Sequence, residues 1–214
     1  MEDLTFRLDG SGSCGRLLVL LHGYGATQHD IATIGSQVDP DGRFFVLCPR
    51  GPIEVPGGGA SWYDFDDAWR ADPESFAKTL DALEALISAA CVRLGLQSDR
   101  VVVGGFSQGA GMAAWLAYST PEASRPAGFW CCGTIVDVAD TPLDLSAARG
   151  TSALVLAGRD DPNVPLERNR NQAQRLQAAG VEVTLSEHAG GHGLSPAMLT
   201  DMARWLNGFS QATR

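Results

Sequence analysis

A serine between a predicted strand and a predicted helix is the residue of this sequence best suited to do chemistry. The segment Val101 to Phe106 reads VVVGGF, and the alanine-rich stretch after Ser107 has helical spacing. Ser107 fits the pattern G-x-S-x-G, whose glycines, Gly105 and Gly109, let strand and helix pass close together. A helix N-cap is the structural alternative for such a serine. We interpret Ser107 as a nucleophile.

A nucleophilic serine needs a base, because its free hydroxyl is weakly reactive at neutral pH. The sequence has four histidines: His22, His29, His188 and His192. The first two precede the serine, whereas this strand–turn–helix motif is followed along the chain by a carboxylate and then a histidine. His192 is flanked by glycines in GGHGL, whose backbone freedom lets the ring orient, and we predict it as the base. His188 is predicted to end a strand.

The third member of the group should be a carboxylate between the serine and the histidine. The stretch GRDDPNVP follows the predicted strand SALVLAG and offers Asp160 and Asp161. Asp161 precedes Pro162, which favours an extended backbone and fixes the direction of the side chain. A turn-forming aspartate at a strand end is the alternative. We predict that Asp161, rather than Asp160, orients His192 and stabilises its protonated form.

Attack on a carbonyl also requires hydrogen-bond donors for the oxyanion that forms. One is predicted to be the backbone N–H of Gln108, the residue after the nucleophile. The other is predicted to be the backbone N–H of Tyr24 in LLHGYGAT, where flanking glycines permit close approach to a ligand. Trp62, in the loop GPIEVPGGGASWYDF, is interpreted as a wall of the substrate pocket, with anchoring of that loop to the core as the alternative.

These residues must be positioned by the short apolar runs and helical patterns that alternate along the chain. Apolar runs throughout are typical of strands covered on both faces. A glycine-rich segment joins the first two runs and indicates an antiparallel N-terminal hairpin. The predicted strands span residues 4–8, 16–22, 43–49, 100–106, 127–133, 152–158 and 181–187.

Two helices are well marked by their apolar stripes. The first is predicted over residues 75–94, with apolar residues at spacings of three and four. The second follows Ser195 and Pro196, which supply an N-cap and a first-turn proline. The alternation predicts one α/β domain over residues 1–214, a mostly parallel doubly wound sheet of about seven strands with helices on both faces, and no large lid.

Composition narrows the classes of partner. The 214 residues carry a formal net charge of −9, which argues against nucleic acid or an anionic membrane as the main partner. The five cysteines form an odd set whose spacing suits neither a disulfide framework nor a zinc site. We expect a cytoplasmic protein without stable membrane insertion, acting on a small molecule, and leave a homodimer open.

One segment imitates a cofactor motif. GSGSCG, residues 10–15, satisfies G-x-G-x-x-G, yet it runs into a strand rather than a helix, which is the wrong context for a dinucleotide. A hairpin turn is the interpretation we prefer. We therefore expect neither a cofactor nor a metal ion.

Six segments together resemble a known family. They are LHGYGAT, CPRGP followed by SWYDF, GFSQGAGMA, AGRDDPNVP and GGHGLSP, in this order over nearly the whole chain. They resemble the phospholipase/carboxylesterase family of α/β-hydrolases, which includes acyl-protein thioesterases and small bacterial carboxylesterases. The resemblance implies a triad of Ser107, Asp161 and His192. It also implies oxyanion positions at Tyr24 and Gln108, and hydrolysis of carboxylic esters, lysophospholipids or thioesters without a cofactor.

Two departures from the family's pattern bear on the substrate. The family usually has leucine at the position of Tyr24, and the loop before Trp62 is glycine-rich where lipid-handling members carry a methionine-rich insertion. Both favour short- to medium-chain acyl esters, cleaved through an acyl-enzyme. A thioesterase or lysophospholipase with the same triad, and a non-catalytic binding protein on a hydrolase scaffold, are the alternatives.

Overall fold

Seven strands form the central sheet of the computed structural model, which describes residues 4–66, 70–120, 124–133 and 145–211. Strands β4 and β5 pair separately with each other. In chain order the strands are β1 (Phe6–Asp9), β2 (Leu17–Leu21), β3 (Phe45–Pro49), β4 (Ile53–Glu54), β5 (Ala60–Ser61), β6 (Val101–Phe106), β7 (Gly128–Cys132), β8 (Ser152–Gly158) and β9 (Glu182–His188).

The sheet order is β1-β3-β2-β6-β7-β8-β9, and every pair is parallel except β1 with β3. This confirms the predicted class, a mostly parallel sheet with an antiparallel pair at its N-terminal edge. The order reverses between β2 and β6, and ligand sites in such sheets lie at the carboxyl ends of the strands near that point. Ser107 follows β6 directly.

The predicted hairpin between the first two strands is wrong, because β1 pairs with β3 instead. Phe6 lies opposite Pro49 and Asp9 opposite Val46. All five residues of β2 are buried, so this strand suits an interior place between β3 and β6, whereas the mostly exposed β1 suits the edge. The segment 10–15 lies beside the residues before β3, where the N–H groups of Ser11 and Cys14 donate to the carbonyl oxygens of Gly42 and Arg43, and it does not form a hairpin turn between β1 and β2.

Five helices cover the two faces of the sheet: α1 (Gln28–Val38), α2 (Pro73–Leu94), α3 (Gln108–Ser119), α4 (Leu166–Ala178) and α5 (Pro196–Gln211). Side chains alternate between the faces along β2. Leu18 and Leu20 pack in the cluster that contains α1 and α5, and Leu17 and Val19 pack in the cluster that contains α2 and α3. Helix α3 is buried from Gln108 to Tyr118, which fixes the segment after Ser107 firmly in the core.

The cysteines are consistent with a small-hydrophobe role. All five lie in the described residues and none forms a disulfide, and Cys48 and Cys131 lie in buried strands. Burial raises the pKa of each of these two thiols to about 12, so they stay protonated and pack as apolar groups. Within the residues described, no helix is long and apolar enough to cross a membrane.

Candidate active site

The turn that carries Ser107 is strained in the way the glycine pattern predicts. Ser107 has φ 53° and ψ −117°, and among the residues described it alone, apart from glycines, has a positive φ. Its N–H donates to the carbonyl of Cys132 at 2.8 Å, which ties the turn to β7. A Cβ on Gly105 would lie 2.3 Å from the backbone of Gly109, and one on Gly109 would lie 2.3 Å from the carbonyl oxygen of Leu21. Both glycines are therefore sterically required.

Three side chains from distant parts of the chain meet at the carboxyl ends of the strands. His192, in the loop between β9 and α5, has its Nε2 2.9 Å from Oγ of Ser107 and its Nδ1 2.8 Å from Oδ2 of Asp161. The carboxylate is 2% exposed and the imidazole 18% exposed. The ring thus bridges a hydroxyl that a small molecule could reach and a carboxylate shielded from water.

The other carboxylate oxygen of Asp161, Oδ1, also accepts hydrogen bonds. Its Oδ1 accepts the N–H groups of Asn163 and Val164 at 2.8 and 2.9 Å. An oxygen that accepts two N–H groups cannot carry a proton towards them and is held in one orientation. Its Oδ2 can then only accept from Nδ1–H of His192, which leaves Nε2 free to accept the proton of Ser107.

Asp160 and His188, the alternatives to Asp161 and His192, make other contacts. Asp160 is exposed, and its Oδ2 reaches only the N–H of Gly190, at 3.4 Å. His188 ends β9 as predicted, and its Nε2 lies 3.0 Å from Oγ of Ser186 and 3.1 Å from a carboxylate oxygen of Asp201. The described contacts of these residues place them outside the group formed around Ser107.

Two neighbours of the imidazole were missed by the sequence reasoning. Gly133 has φ +64°, and a Cβ there would lie 2.9 Å from Cε1 of His192. The ring of Phe106 lies 4.9 Å from the imidazole, centroid to centroid. Together they form a narrow slot that only a glycine at position 133 permits. The signal was the glycine at the end of the predicted strand AGFWCCG, residues 127–133.

The two predicted oxyanion donors lie at the start of α3, directly after Ser107, and in the loop after β2. Gln108 begins α3, so its N–H belongs to the first helical turn, which has no intrahelical acceptor and carries a positive partial charge. Tyr24 follows β2, in a loop held by hydrogen bonds that join Gly25 and Ala26 to Ala60. The Tyr24 side chain is 49% exposed and lies edge-on to Phe65 at 5.9 Å.

Trp62 does not form a pocket wall, because its side chain is 0% exposed. Its indole N–H donates to the carbonyl oxygen of His22 at 2.7 Å, and its ring lies 4.7 Å from the ring of that histidine. A side chain without accessible surface cannot contact a substrate. The predicted substrate contact is therefore replaced by the alternative, the anchoring of the loop to the core.

Tyr24 lines a groove together with residues 53–56 and 63–66, and the lining of this groove does not include Ser107, Asp161 or His192. A cavity of about 600 Å³ also exists, but it lies between α2 and the start of β6, at the end of that strand farthest from Ser107. The groove beside Tyr24 has a volume of about 530 Å³. Its lining includes Ile53, Val55, Pro56, Tyr63 and Phe65.

His22 is buried in its neutral form and acts as a structural link. Its Nε2 accepts the N–H of Gly51 at 3.0 Å, and its Nδ1 lies 2.8 Å from the carbonyl oxygen of Gly23. The ring nitrogen that accepts must be unprotonated, so the proton is on Nδ1. Burial lowers the pKa of His22 below its ordinary 6.5, since the charged form would lose its hydration.

This burial predicts a loss of stability in mild acid. Below the ordinary pKa of 6.5 the unfolded chain binds a proton at His22 that the folded chain excludes. Stability is therefore complete above about pH 6.5 and falls as the pH drops from there towards the lowered folded-state pKa. We expect urea unfolding between about pH 7.5 and pH 5 to show this fall, and His22→Gln to flatten it.

The exposed His29 on α1 provides the control for losing a histidine. His29→Gln should keep the pH dependence of the wild-type protein. If the free energy of unfolding depends on pH equally in His22→Gln and in the wild-type protein, the burial of His22 is not the cause of that dependence.

Comparisons with known proteins show the family and the fold of the chain. Residues 10–210 match the sequence model of the family described as Phospholipase/Carboxylesterase. Acyl-protein thioesterase 1 of Gibberella zeae is 26% identical over 88% of this chain and 88% of its own. The protein of the same name from Schizosaccharomyces pombe is 30% identical over 69% of each chain. The crystal structure of the Bacillus cereus carboxylesterase superposes with a TM-score of 0.84, at 21% identity, over 96% of this chain and 94% of that one.

Proposed function

Because the chain belongs to the phospholipase/carboxylesterase family of hydrolases, we propose that it cleaves carboxylic esters through an acyl-enzyme on Ser107. The observation that carries the proposal is the position of His192, at 2.9 Å from the Ser107 hydroxyl and 2.8 Å from the Asp161 carboxylate. An imidazole held in this way can remove the hydroxyl proton as the oxygen attacks. The strained turn supports the same role, because it presents the hydroxyl at the start of α3.

Acylation begins when Oγ of Ser107 attacks the carbonyl carbon of the ester and its proton passes to Nε2 of His192. The carbonyl oxygen becomes an oxyanion, which accepts the N–H groups of Gln108 and Tyr24. Asp161 stabilises the imidazolium. The intermediate collapses, the bond to the alcohol oxygen breaks, and the imidazolium proton passes to that oxygen. An acyl group then remains on Ser107.

Deacylation repeats these steps with water in place of the serine. His192 removes a proton from the water as its oxygen attacks the acyl carbonyl. Collapse of the second intermediate breaks the bond to Oγ, and the imidazolium returns its proton to Ser107. The carboxylic acid leaves, and the enzyme is restored without a cofactor or a metal ion.

Short- to medium-chain acyl esters are the substrates that the site favours. Tyr24 stands where the family usually has leucine, and this exposed residue lines a groove with residues 53–56 and 63–66. A thioesterase is the second candidate, since two relatives are named acyl-protein thioesterase and the same residues act on either leaving group. The five cysteines, none of which forms a disulfide, support a cytoplasmic location.

A series of p-nitrophenyl esters from acetate to palmitate, beside the matching thioesters, tests the proposal. We expect kcat/KM to be highest for a short or medium chain, and to vanish for every substrate in Ser107→Ala. A preference for palmitate would overturn the short-chain assignment, and higher values for the thioesters would identify a thioesterase. No turnover of any member would support a non-catalytic protein.

A further inference from the structure

We propose that Gln108 and Trp62 are positioning residues, whose hydrogen bonds hold the two oxyanion donors, the N–H groups of Tyr24 and Gln108, in register. The inference rests on the proposed ester hydrolysis. It gives a positioning role to the side chains of Gln108 and Trp62, which take part in no step of that reaction. Both are buried, with Gln108 5% and Trp62 0% exposed.

The side-chain amide of Gln108 is fully used. Its Oε1 accepts the backbone N–H of Trp62 at 3.0 Å. Its Nε2 donates to Oγ of Ser61 at 2.8 Å and to the carbonyl oxygen of Tyr63 at 3.0 Å. Two of these contacts fix which end of the amide is which, because a flipped amide would place its NH₂ against the N–H of Trp62 and its oxygen against the carbonyl oxygen of Tyr63. The residue that carries one oxyanion donor is thus locked onto the segment 61–63.

Trp62 links this segment to the other donor. Its indole N–H donates to the carbonyl oxygen of His22 at 2.7 Å, two residues before Tyr24. The ring of His22, which lies 4.7 Å from the ring of Trp62, also holds this stretch through Gly51 and Gly23. Trp62 therefore supplies two bonds of the path from Gln108 to the loop of Tyr24, one from its backbone N–H and one from its indole. The hydrogen bonds that join Ala60 to Gly25 and Ala26 hold the same loop beside them.

The position of these donors decides how much they stabilise the transition state. Donors act on an oxyanion only when they lie about 2.7–3.1 Å from the place where its charge develops, and losing one lowers kcat by about 10²–10³-fold. Both donors here are main-chain groups, so their separation depends on how their segments are held. A shift on the order of 1 Å can cost about 10²-fold. The bonds of Trp62 and Gln108 supply that constraint.

The test uses Trp62→Phe, which removes the indole N–H but keeps an aromatic ring, and Gln108→Met, which keeps the length but removes the amide. For the best p-nitrophenyl ester, we expect kcat to fall by between about 10- and 100-fold in each variant, with KM changed less than about threefold. A trifluoromethyl ketone analogue of that ester forms an oxyanion adduct with Ser107. Its affinity should fall by the same factor as kcat/KM.

Trp130→Phe is the matched control. Trp130 is also 0% exposed, and its indole N–H has no hydrogen-bond partner among the residues that the structure describes. Its replacement makes a similar change in a buried ring without breaking the path between the donors. We expect its midpoint of thermal unfolding to fall about as far as that of Trp62→Phe, with kcat close to the wild-type value.

The outcomes separate this inference from the proposed function. Wild-type kcat and ketone affinity in both Trp62→Phe and Gln108→Met would overturn the positioning roles while leaving the esterase intact. Equal losses of kcat in Trp62→Phe and Trp130→Phe would also overturn them, because destabilisation alone would then explain the effect. A wild-type protein that neither hydrolyses esters nor binds the ketone would instead overturn the proposed function.

Discussion

Replacing Asp161 with asparagine should lower kcat for ester hydrolysis by about 10⁴-fold with little change in the fold. Oδ1 of Asp161 accepts two backbone N–H groups, from Asn163 and Val164, and an asparagine must keep its oxygen there. Its NH₂ group then faces Nδ1 of His192, which has to accept. The imidazole proton moves to Nε2, where it blocks acceptance of the proton of Ser107.

Asp160→Asn provides a control one residue away. Asp160 is exposed and its carboxylate lies 3.4 Å from the N–H of Gly190, so removing its charge should leave kcat close to the wild-type value. Steady-state kinetics on the best p-nitrophenyl ester measures both variants. A large loss in Asp160→Asn with full activity in Asp161→Asn would reverse the roles of the two carboxylates.

Replacing Gly109 with alanine should damage both stability and activity. The added Cβ would lie 2.3 Å from the carbonyl oxygen of Leu21 and 2.4 Å from that of His22. Both obstacles are backbone atoms at the end of β2, so α3 must move away from the sheet and carry the N–H of Gln108 with it. We expect the free energy of unfolding to fall by about 3 kcal/mol or more. The accompanying loss of kcat should reach about 10²-fold.

Gly208→Ala is the same substitution at an unobstructed helical position. A Cβ on Gly208, in α5, meets nothing within 4 Å, so alanine should raise the free energy of unfolding by about 0.5–1 kcal/mol. Urea unfolding followed by circular dichroism measures both changes. Wild-type stability in Gly109→Ala would mean that the strand and helix do not approach as closely as the structure indicates.

The fold class could be predicted because each interior strand is marked by a local run of apolar residues. Runs such as LLVLL and VVVGGF are apolar on both faces, which only an interior parallel strand explains, and the structure confirms them as β2 and β6. The partner of β1 could not be predicted in the same way. Pairing joins residues about forty positions apart, and the choice of β3 over β2 depends on which strand already has two neighbours.

The site could be predicted in part for a similar reason. The chain positions of Ser107, Asp161 and His192 follow a motif whose mechanics are local, and these side chains lie within hydrogen-bonding distance of one another, while their catalytic roles stay a prediction. The burial of Trp62 and the need for glycine at position 133 depend on contacts between distant segments. No spacing within either segment encodes those contacts.

Labelling with a fluorophosphonate, with the adduct located by mass spectrometry, tests most directly whether His192 makes Ser107 reactive. We expect one adduct, on Ser107 of the wild-type protein, and a labelling rate lowered by about 10³-fold or more in His192→Ala. Labelling of Ser107 at the wild-type rate in His192→Ala, or an adduct on another residue, would contradict it.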